Sequence, residues 1–196
     1  MSGPEDVLFS PAVKEEQTRL GSRAQFEGRE WKSEITDDLR QFLAAIDTFF
    51  FATASADGRP YVQHRGGPAG FLKPIGSHTL AFADFAGNRQ YITLGHLKEN
   101  DRAFLFLLDF ANRRRIKVWG RAHVVDHDPA LLERLIDPGY RARPERAILF
   151  TVEAWDINCR QHIVARYSEA EIAPAVNQLT QRIKELEEEV ARLKGG

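Results

Sequence analysis

The stretch that decides the fold runs from Tyr61 to Leu97. It opens with YVQHRGGPAGFLK (residues 61–73), continues through an apolar segment, and then reads FADFAGNRQY (residues 82–91). Two glycine-rich polar elements therefore flank one segment whose pattern predicts a β-strand. Strand alternation places Tyr61, Gln63 and Arg65 on one face of the first element, and Val62 and His64 on the other.

The two polar elements predict a site for a flat, phosphorylated ligand. Gly66 and Gly67 carry no side chains, which leaves open space for a planar ring beside Arg65. Gly87 and Asn88 form a turn and helix N-cap signal, so the amides of Arg89 and Gln90 are expected to open a helix. Those amides, the helix dipole and the Arg89 guanidinium would hold an anion such as a phosphate.

These elements resemble the FMN-binding split-barrel family named after pyridoxamine 5'-phosphate oxidase. The resemblance starts in the two elements just quoted and continues in three later segments, so that it covers about residues 45 to 165. Those segments are Asn100–Arg102, Arg113–Gly120 and Asn158–Ile163.

The resemblance implies a mainly β fold with helices (α+β), namely an FMN-binding split β-barrel. It implies FMN as the cofactor, a homodimer, and a small-molecule substrate or electron donor. Cofactor contacts are expected from residues on both polar elements and from three that fall where family members reach across the dimer interface toward the flavin. The first set is Gln63, His64, Arg65, Gly66, Gly67, Asp84, Asn88, Arg89 and Gln90, and the second is Arg115, Trp155 and Asn158.

Two departures from the family concern the substrate. A Ser-Arg-Lys run occupies the place of Asn88-Arg89-Gln90 in the family, so one positive charge is missing here. After Ile163 the chain runs into a charged helix instead of a substrate-binding segment with a Trp and an Arg. We therefore expect an FMN-dependent oxidoreductase that acts on another small substrate, and the catalytic residues stay unassigned. The alternatives are a non-catalytic flavin-, haem- or deazaflavin-binding module, and an assembly protein organised by its tail.

The remaining pattern divides the chain into three segments. Residues 1–35 predict an N-terminal arm with a short helix over 11–20, residues 36–166 the barrel, and residues 167–196 a C-terminal helix. Thr36 caps a helix with Leu39, Phe42, Leu43 and Ile46 at helical spacing. Further helices are expected over 88–98 and from Asp128. About six strands are expected, over 48–55, 60–65, 78–83, 102–110, 113–126 and 146–158.

Composition narrows the classes of partner. The chain has 196 residues, 27 Lys plus Arg and 28 Asp plus Glu, so its net charge of −1 favours neither nucleic acid nor an anionic membrane. No segment is long and apolar enough to span a bilayer, and no signal peptide is evident. The single cysteine, Cys159, fits a reducing compartment, so we expect a cytoplasmic protein. The six histidines show no metal-binding spacing, and no metal is expected.

The C-terminal segment carries heptads. Val176, Ile183 and Val190 fall at a positions, and Leu179, Leu186 and Leu193 at d, with Ile172 one heptad earlier. β-branched a residues with Leu at d favour a parallel two-stranded coiled coil. The alternative is an amphipathic helix that lies on its own barrel, which usually shows a wider apolar stripe.

Overall fold

A computed structural model of the chain describes residues 3–157 and 160–194. Its helices are α1 (Pro4–Leu8), α2 (Pro11–Arg19), α3 (Asp37–Ala45), α4 (Ile92–Glu99), α5 (Pro129–Leu135) and α6 (Glu169–Lys194), with a 3-10 turn at Arg23–Gln25. Its strands are β1 (Thr48–Ala54), β2 (Pro60–Gly66), β3 (Lys73–Pro74), β4 (Thr79–Phe85), β5 (Arg102–Asp109), β6 (Arg114–Val125) and β7 (Pro144–Ile157).

The strands form one antiparallel sheet in the order β2-β1-β5-β6-β7-β4-β3. The α+β class and split-barrel fold expected from the sequence are confirmed. Seven strands replace the expected six because Lys73 and Pro74 add a short edge strand beside β4. The sheet curls until Arg65 on β2 reaches Asp84 on β4, although four other strands lie between them in the sheet order.

The core fills the inside of this curl. α3 lies across it with Leu39, Phe42 and Leu43 buried, and its first turn is capped by the Thr36 hydroxyl, which accepts from the Leu39 amide at 3.5 Å. Alternate strand residues complete the core, namely Phe49, Phe51, Leu105, Leu107, Ile116, Val118, Ile148 and Phe150. Burying each such side chain contributes roughly 1.5–3 kcal/mol, so the core supplies most of the driving force for folding.

The end of the N-terminal arm is tied to β7. Lys32 pairs with Trp155 as an isolated bridge, and the Trp155 indole N–H donates to the Glu34 carbonyl at 2.8 Å. Trp31 and Ile35 are buried, so the arm closes the barrel beside Trp155. The helix expected over 11–20 is confirmed as α2.

The C-terminal helix begins where the sequence indicated. Ser168 caps α6, since its hydroxyl accepts from the Glu171 amide at 3.3 Å and the Glu171 carboxylate accepts from the Ser168 amide at 2.7 Å. No described residue of α6 is buried. In the part of the chain that the structure describes, no helix combines the length and apolar character needed to cross a membrane.

Candidate functional site

A polar cleft of about 200 Å³ opens between β2, β4, the start of β7 and the β4–α4 connection. Both polar elements of the sequence contribute to it, as does the first turn of α4. Its lining includes Tyr61, Gln63, Arg65, Asp84, Asn88, Arg89, Gln90, Thr93 and Arg146. The structure therefore brings together six of the residues predicted to bind a cofactor.

Asp84 joins two arginines at the base of the cleft. It is buried, and its carboxylate accepts hydrogen bonds from Arg65 and, at 3.0 Å, from Arg146 Nη1. Arg146 also contacts the exposed Asp126 at 3.2 Å. Burial lowers the pKa of the Arg146 guanidinium, but its hydrogen bonds to Asp84 and Asp126 and its charge pairing with Asp84 and Glu145 outweigh burial and leave that pKa raised. Both guanidinium groups are thus fixed in place and charged.

A neutral pair extends the cleft wall. The buried Thr93 hydroxyl donates to the Gln63 side-chain oxygen at 3.1 Å, which links β2 to the first turn of α4. The ring of Tyr61 meets His96 edge-on at 6.1 Å, and His96 Nδ1 lies 3.1 Å from the Thr53 hydroxyl. These contacts hold α4 against the edge of the sheet.

The predicted start of this helix was wrong. α4 begins at Ile92, four residues after Asn88, because Arg89 and Tyr91 adopt left-handed backbone angles (φ 60° and 52°) that a right-handed helix excludes. The Asn88 side chain instead accepts from the Gln90 amide at 3.2 Å, which forms a local turn. The free amides of the first helical turn therefore belong to Ile92 and Thr93 instead of Arg89 and Gln90.

Arg89 provides the available positive charge. Its side chain is exposed at the cleft, and it makes no hydrogen bond or ion pair with any residue in 3–157 or 160–194. Arg65 and Arg146, in contrast, are occupied by Asp84. An incoming anion would meet a free guanidinium at Arg89 and two fixed ones behind it.

The glycines after Arg65 do not leave the open floor expected from the sequence. A Cβ on Gly67 would lie 2.8 Å from Cγ of Phe71, so the Phe71 ring already fills this space. A Cβ on Gly66 would meet the His64 ring at 3.2 Å. At Gly67, the absence of a side chain serves close packing of the 66–72 loop.

Several other predicted site residues lie away from the cleft. His64 faces the opposite side of β2, where its Nε2 lies 2.6 Å from the Thr48 hydroxyl. Trp155 is buried beneath residues 32–34. Arg115 lies on the outer face of β6, and its buried Nε has no hydrogen-bond partner among the described residues. Asn158 and Cys159 lie outside the described residues.

Sequence reasoning missed Arg146 and Thr93. Arg146 was recognised as the start of the last strand, but its pairing with Asp84 follows from the register of β4 against β7. Thr93 is the second residue of α4, a helix whose start the sequence pattern placed at Asn88 instead of Ile92. The signal for Arg146 was its position at a strand end, a common location for site residues.

A second cavity of about 630 Å³ adjoins the cleft along α4 and β6. It shares Tyr91, Leu94 and Arg146 with the cleft and adds His123 and Lys98. Across residues 3–157 and 160–194, no group of three or more His, Cys, Asp or Glu side chains is placed to hold a metal ion.

Comparisons with known proteins agree with this architecture. Residues 35–159 match the family model described as pyridoxamine 5'-phosphate oxidase. Among solved structures, HupZ of Group A Streptococcus is 14% identical, with 68% of this chain and 99% of that chain covered and a TM-score of 0.51. A single-residue variant of HupZ is 15% identical, with coverages of 63% and 99% and the same TM-score.

An FMN-binding protein from Syntrophomonas wolfei subsp. wolfei is 16% identical, with coverages of 76% and 95% and a TM-score of 0.49. No curated protein sequence matches the chain. At these identities the HupZ structures show a shared fold. Because the family model spans well over half of the sequence, this chain belongs to the pyridoxamine 5'-phosphate oxidase family.

Proposed function

We propose that the cleft binds the phosphate of FMN and that the protein is an FMN-dependent oxidoreductase acting on a small substrate. The observation that carries the proposal is Arg89, an exposed guanidinium without a partner among the described residues. It lies beside two fixed arginines and the first turn of α4. Membership of a flavin-binding split-barrel family supports the same assignment.

The charge of the cleft suits one terminal phosphate. Arg65, Arg89 and Arg146 line it together with the carboxylates of Asp84 and Glu145, which leaves one net positive charge. Asp84 neutralises much of the positive charge of the two buried guanidinium groups. Arg89 and the amides of Ile92 and Thr93 are therefore the groups free to hold a phosphate. A second phosphate has no comparable site in this cleft, which favours FMN over FAD.

The combined volume of the cleft and its adjoining cavity also suits a ligand of the size of FMN. A volume of about 200 Å³ admits a phosphate and part of its chain, but it is below the 300–1,000 Å³ typical of a complete ligand pocket. The adjoining cavity of about 630 Å³ raises the total into that range. Gln63 accepts a hydrogen bond from Thr93, so its amide nitrogen is left as a donor on the cleft wall.

FMN supplies the redox chemistry when bound, namely hydride or electron transfer. The roles of this chain are to bind and orient it. Arg89 provides charge-assisted hydrogen bonds, Asp84 keeps Arg65 and Arg146 in fixed positions, and the Gln63–Thr93 pair fixes the wall between them.

The proposed unit is a homodimer paired through the outer face of β5 and β6. Phe104, Phe106 and Trp119 are half-buried there, and Phe104 and Trp119 lie 5.1 Å apart edge-on. Burial lowers the pKa of the neighbouring Lys117 ammonium, and Arg115 lowers it further while Asp156 opposes the change. An aromatic face of this kind is typical of protein interfaces.

Calorimetric titration tests the phosphate assignment. Arg89→Ala is expected to weaken FMN binding by about 1.5–3 kcal/mol, the usual contribution of a hydrogen bond to a charged group. Riboflavin, which lacks the phosphate, should bind both proteins equally. Arg192→Ala, which removes the same charge from α6, is the matched control and should leave FMN affinity unchanged. Equal FMN affinity in the wild type and Arg89→Ala would contradict the assignment.

Reduction of the bound flavin distinguishes a catalytic protein from one that only stores flavin. The FMN-loaded protein is mixed with NADPH under anaerobic conditions, and the visible flavin absorbance is followed. Bleaching faster than that of free FMN supports an oxidoreductase. Tightly bound flavin that neither NADPH nor NADH reduces would instead favour a non-catalytic flavin-binding module.

A further inference from the structure

We infer that the α6 helices of two copies of this chain pair as a parallel two-stranded coiled coil. Seven large apolar side chains follow each other along α6 at alternating spacings of four and three residues. All are between 43% and 78% exposed: Ile172, Val176, Leu179, Ile183, Leu186, Val190 and Leu193. A continuous exposed apolar stripe of this length needs a partner in water.

The barrel of the same chain does not provide that partner. No described residue of α6 is buried, and the contacts of its segment with the body lie near its start, where Arg166 approaches the Phe110 ring at 5.0 Å. Pro174 lies inside the first turns of α6 and at an f position, on the side opposite the apolar stripe. Because proline lacks an amide N–H, it interrupts the helical hydrogen bonds between the barrel-proximal turn and the heptads.

The stripe has the narrow a and d pattern of a coiled coil. Val176, Ile183 and Val190 occupy a positions, with leucine at the following d positions. This combination favours two parallel strands over higher oligomers. A helix that packs on a globular body carries a wider apolar face, usually with additional apolar residues at e or g positions. Here Arg182 and Glu189 at g positions, and Glu187 and Lys194 at e positions, are charged.

Those charges match a second copy of the chain in parallel register. Arg182 at g faces the partner's Glu187 at e, and Glu189 at g faces the partner's Lys194 at e. Within one chain Arg182 contacts the exposed Glu185 at 3.1 Å, and Glu187, Glu189 and Lys194 form no ion pair with any described residue. The pairing would therefore give Glu187, Glu189 and Lys194 the oppositely charged partners that a single helix does not provide.

The length of α6 indicates that the coiled coil forms only when the two barrels are already paired. From Ala175 to Lys194 the helix spans roughly 30 Å at 1.5 Å per residue, or about three heptads. Isolated helices of this size are marginal in water. Tethering the two helices to paired barrels raises their effective concentration, so the coil adds to a barrel dimer and strengthens it.

Disulfide trapping tests the pairing without any need for flavin. Leu193→Cys and Arg192→Cys are each made in the full chain with Cys159→Ser. Under mild oxidation, Leu193→Cys at the d seam should form a covalent dimer at least tenfold faster than Arg192→Cys on the outer c position. Equal rates, or no covalent dimer for Leu193→Cys, would overturn the coil.

Orientation has its own test. When Leu193→Cys chains are mixed with differently tagged Val176→Cys chains, a parallel coil yields covalent homodimers of each. Mainly mixed dimers would show antiparallel pairing and overturn the proposed register.

The contribution to dimerisation is measured by sedimentation. A chain that ends at Ala173, and the seam variant Leu186→Lys, should each raise the dimer dissociation constant at least tenfold. Gln181→Lys, at an f position, adds the same charge and should leave the constant unchanged. FMN affinity per chain at saturating protein should be the same in the truncated and complete chains, which separates this proposal from that of the cleft. An unchanged dissociation constant, or a full chain that sediments as a monomer, would overturn the coil.

Discussion

At the scale of single residues, Asp84 is the anchor of the candidate site. It connects Arg65 of the second strand to Arg146 of the seventh, and the side chains of these arginines are only 13% and 15% exposed. Two buried guanidinium groups close together repel each other unless a carboxylate lies between them. Asp84 therefore contributes to both the stability of the barrel and the shape of the cleft.

Replacing Asp84 by asparagine should destabilise the protein by about 3 kcal/mol or more, because two buried charges lose their shared counterion. Asp126→Asn is the matched control, since it removes a 61% exposed partner of the same Arg146 and should cost less than about 1 kcal/mol. Urea unfolding followed by circular dichroism measures both changes. Similar losses for the two variants would show that the buried network contributes little.

Half of the cleft could be predicted because its residues are close in sequence. Gln63 and Arg65 share a strand face by simple alternation, and Asn88, Arg89 and Gln90 follow a glycine turn. Arg146 could not be predicted in the same way, since its place beside Asp84 depends on a strand pair that joins residues 62 positions apart. The Phe71 ring over Gly67 likewise depends on the course of a loop with no sequence signature.

At the scale of secondary-structure elements, the long antiparallel neighbours β6 and β7 shape the barrel. Their register shifts between Trp119 and Gly120, where Glu153 is an extra residue on β7, which is the pattern of a β-bulge. A Cβ on Gly120 would lie 2.0 Å from the Thr151 carbonyl oxygen, so no other residue fits without moving the backbone.

Gly120→Ala should consequently lower the thermal midpoint strongly or prevent folding, since the clash involves main chain on both strands. Gly95→Ala is the control: no atom lies within 4 Å of its added Cβ, and alanine in the middle of α4 should stabilise the protein by roughly 0.5–1 kcal/mol. Differential scanning fluorimetry reads out both. A normal thermal midpoint for Gly120→Ala would contradict this prediction and would mean that the pairing of β6 with β7 can shift to relieve the clash.

Element boundaries show where sequence patterns were ambiguous. The Gly-Asn signal at 87 and 88 is compatible with a helix cap and with a turn closed by the asparagine side chain, and the turn is observed. The alternating strands were located to within a few residues, because burial of one face leaves a period of two in the sequence. The heptads of α6 are equally legible, and its helical state is confirmed.

At the scale of the whole molecule, a shared site would require two chains. Arg65 lines the cleft, whereas Arg115 lies on the outer face proposed to contact a second copy. We expect Arg65→Ala and Arg115→Ala homodimers to bind flavin weakly for different reasons. A purified heterodimer of the two should regain one intact site.

Flavin absorbance per heterodimer measures this recovery. The control is a heterodimer of two differently tagged Arg65→Ala chains, which should remain without an intact site. If the mixed heterodimer binds no more flavin than the control, the sites are not shared between chains.

We do not expect this chain to share the substrate of pyridoxamine 5'-phosphate oxidase, although it belongs to that family. Gln90 stands where the family has a lysine, and the segment after Ile163 leads into α6 without a tryptophan. We expect no turnover of pyridoxamine 5'-phosphate at the ordinary enzymatic scale of roughly 1–10³ per second, because charged substrates need matching charged groups. Formation of the aldehyde product, followed by absorbance, checks this, and turnover within that range would contradict it.

The ion pair between Asp84 and Arg146 also predicts an order of events during synthesis. Most of the barrel-forming sequence, including β1, β2, β5 and β6, is translated before Arg146 leaves the ribosome, yet Asp84 has no second arginine until β7 pairs with β4. Contacts between distant segments form late because closing long loops costs entropy. We therefore expect the cleft to be completed late in folding. Binding of a ligand there would report that β7 has closed the barrel, and it would stabilise the closed barrel through mass action.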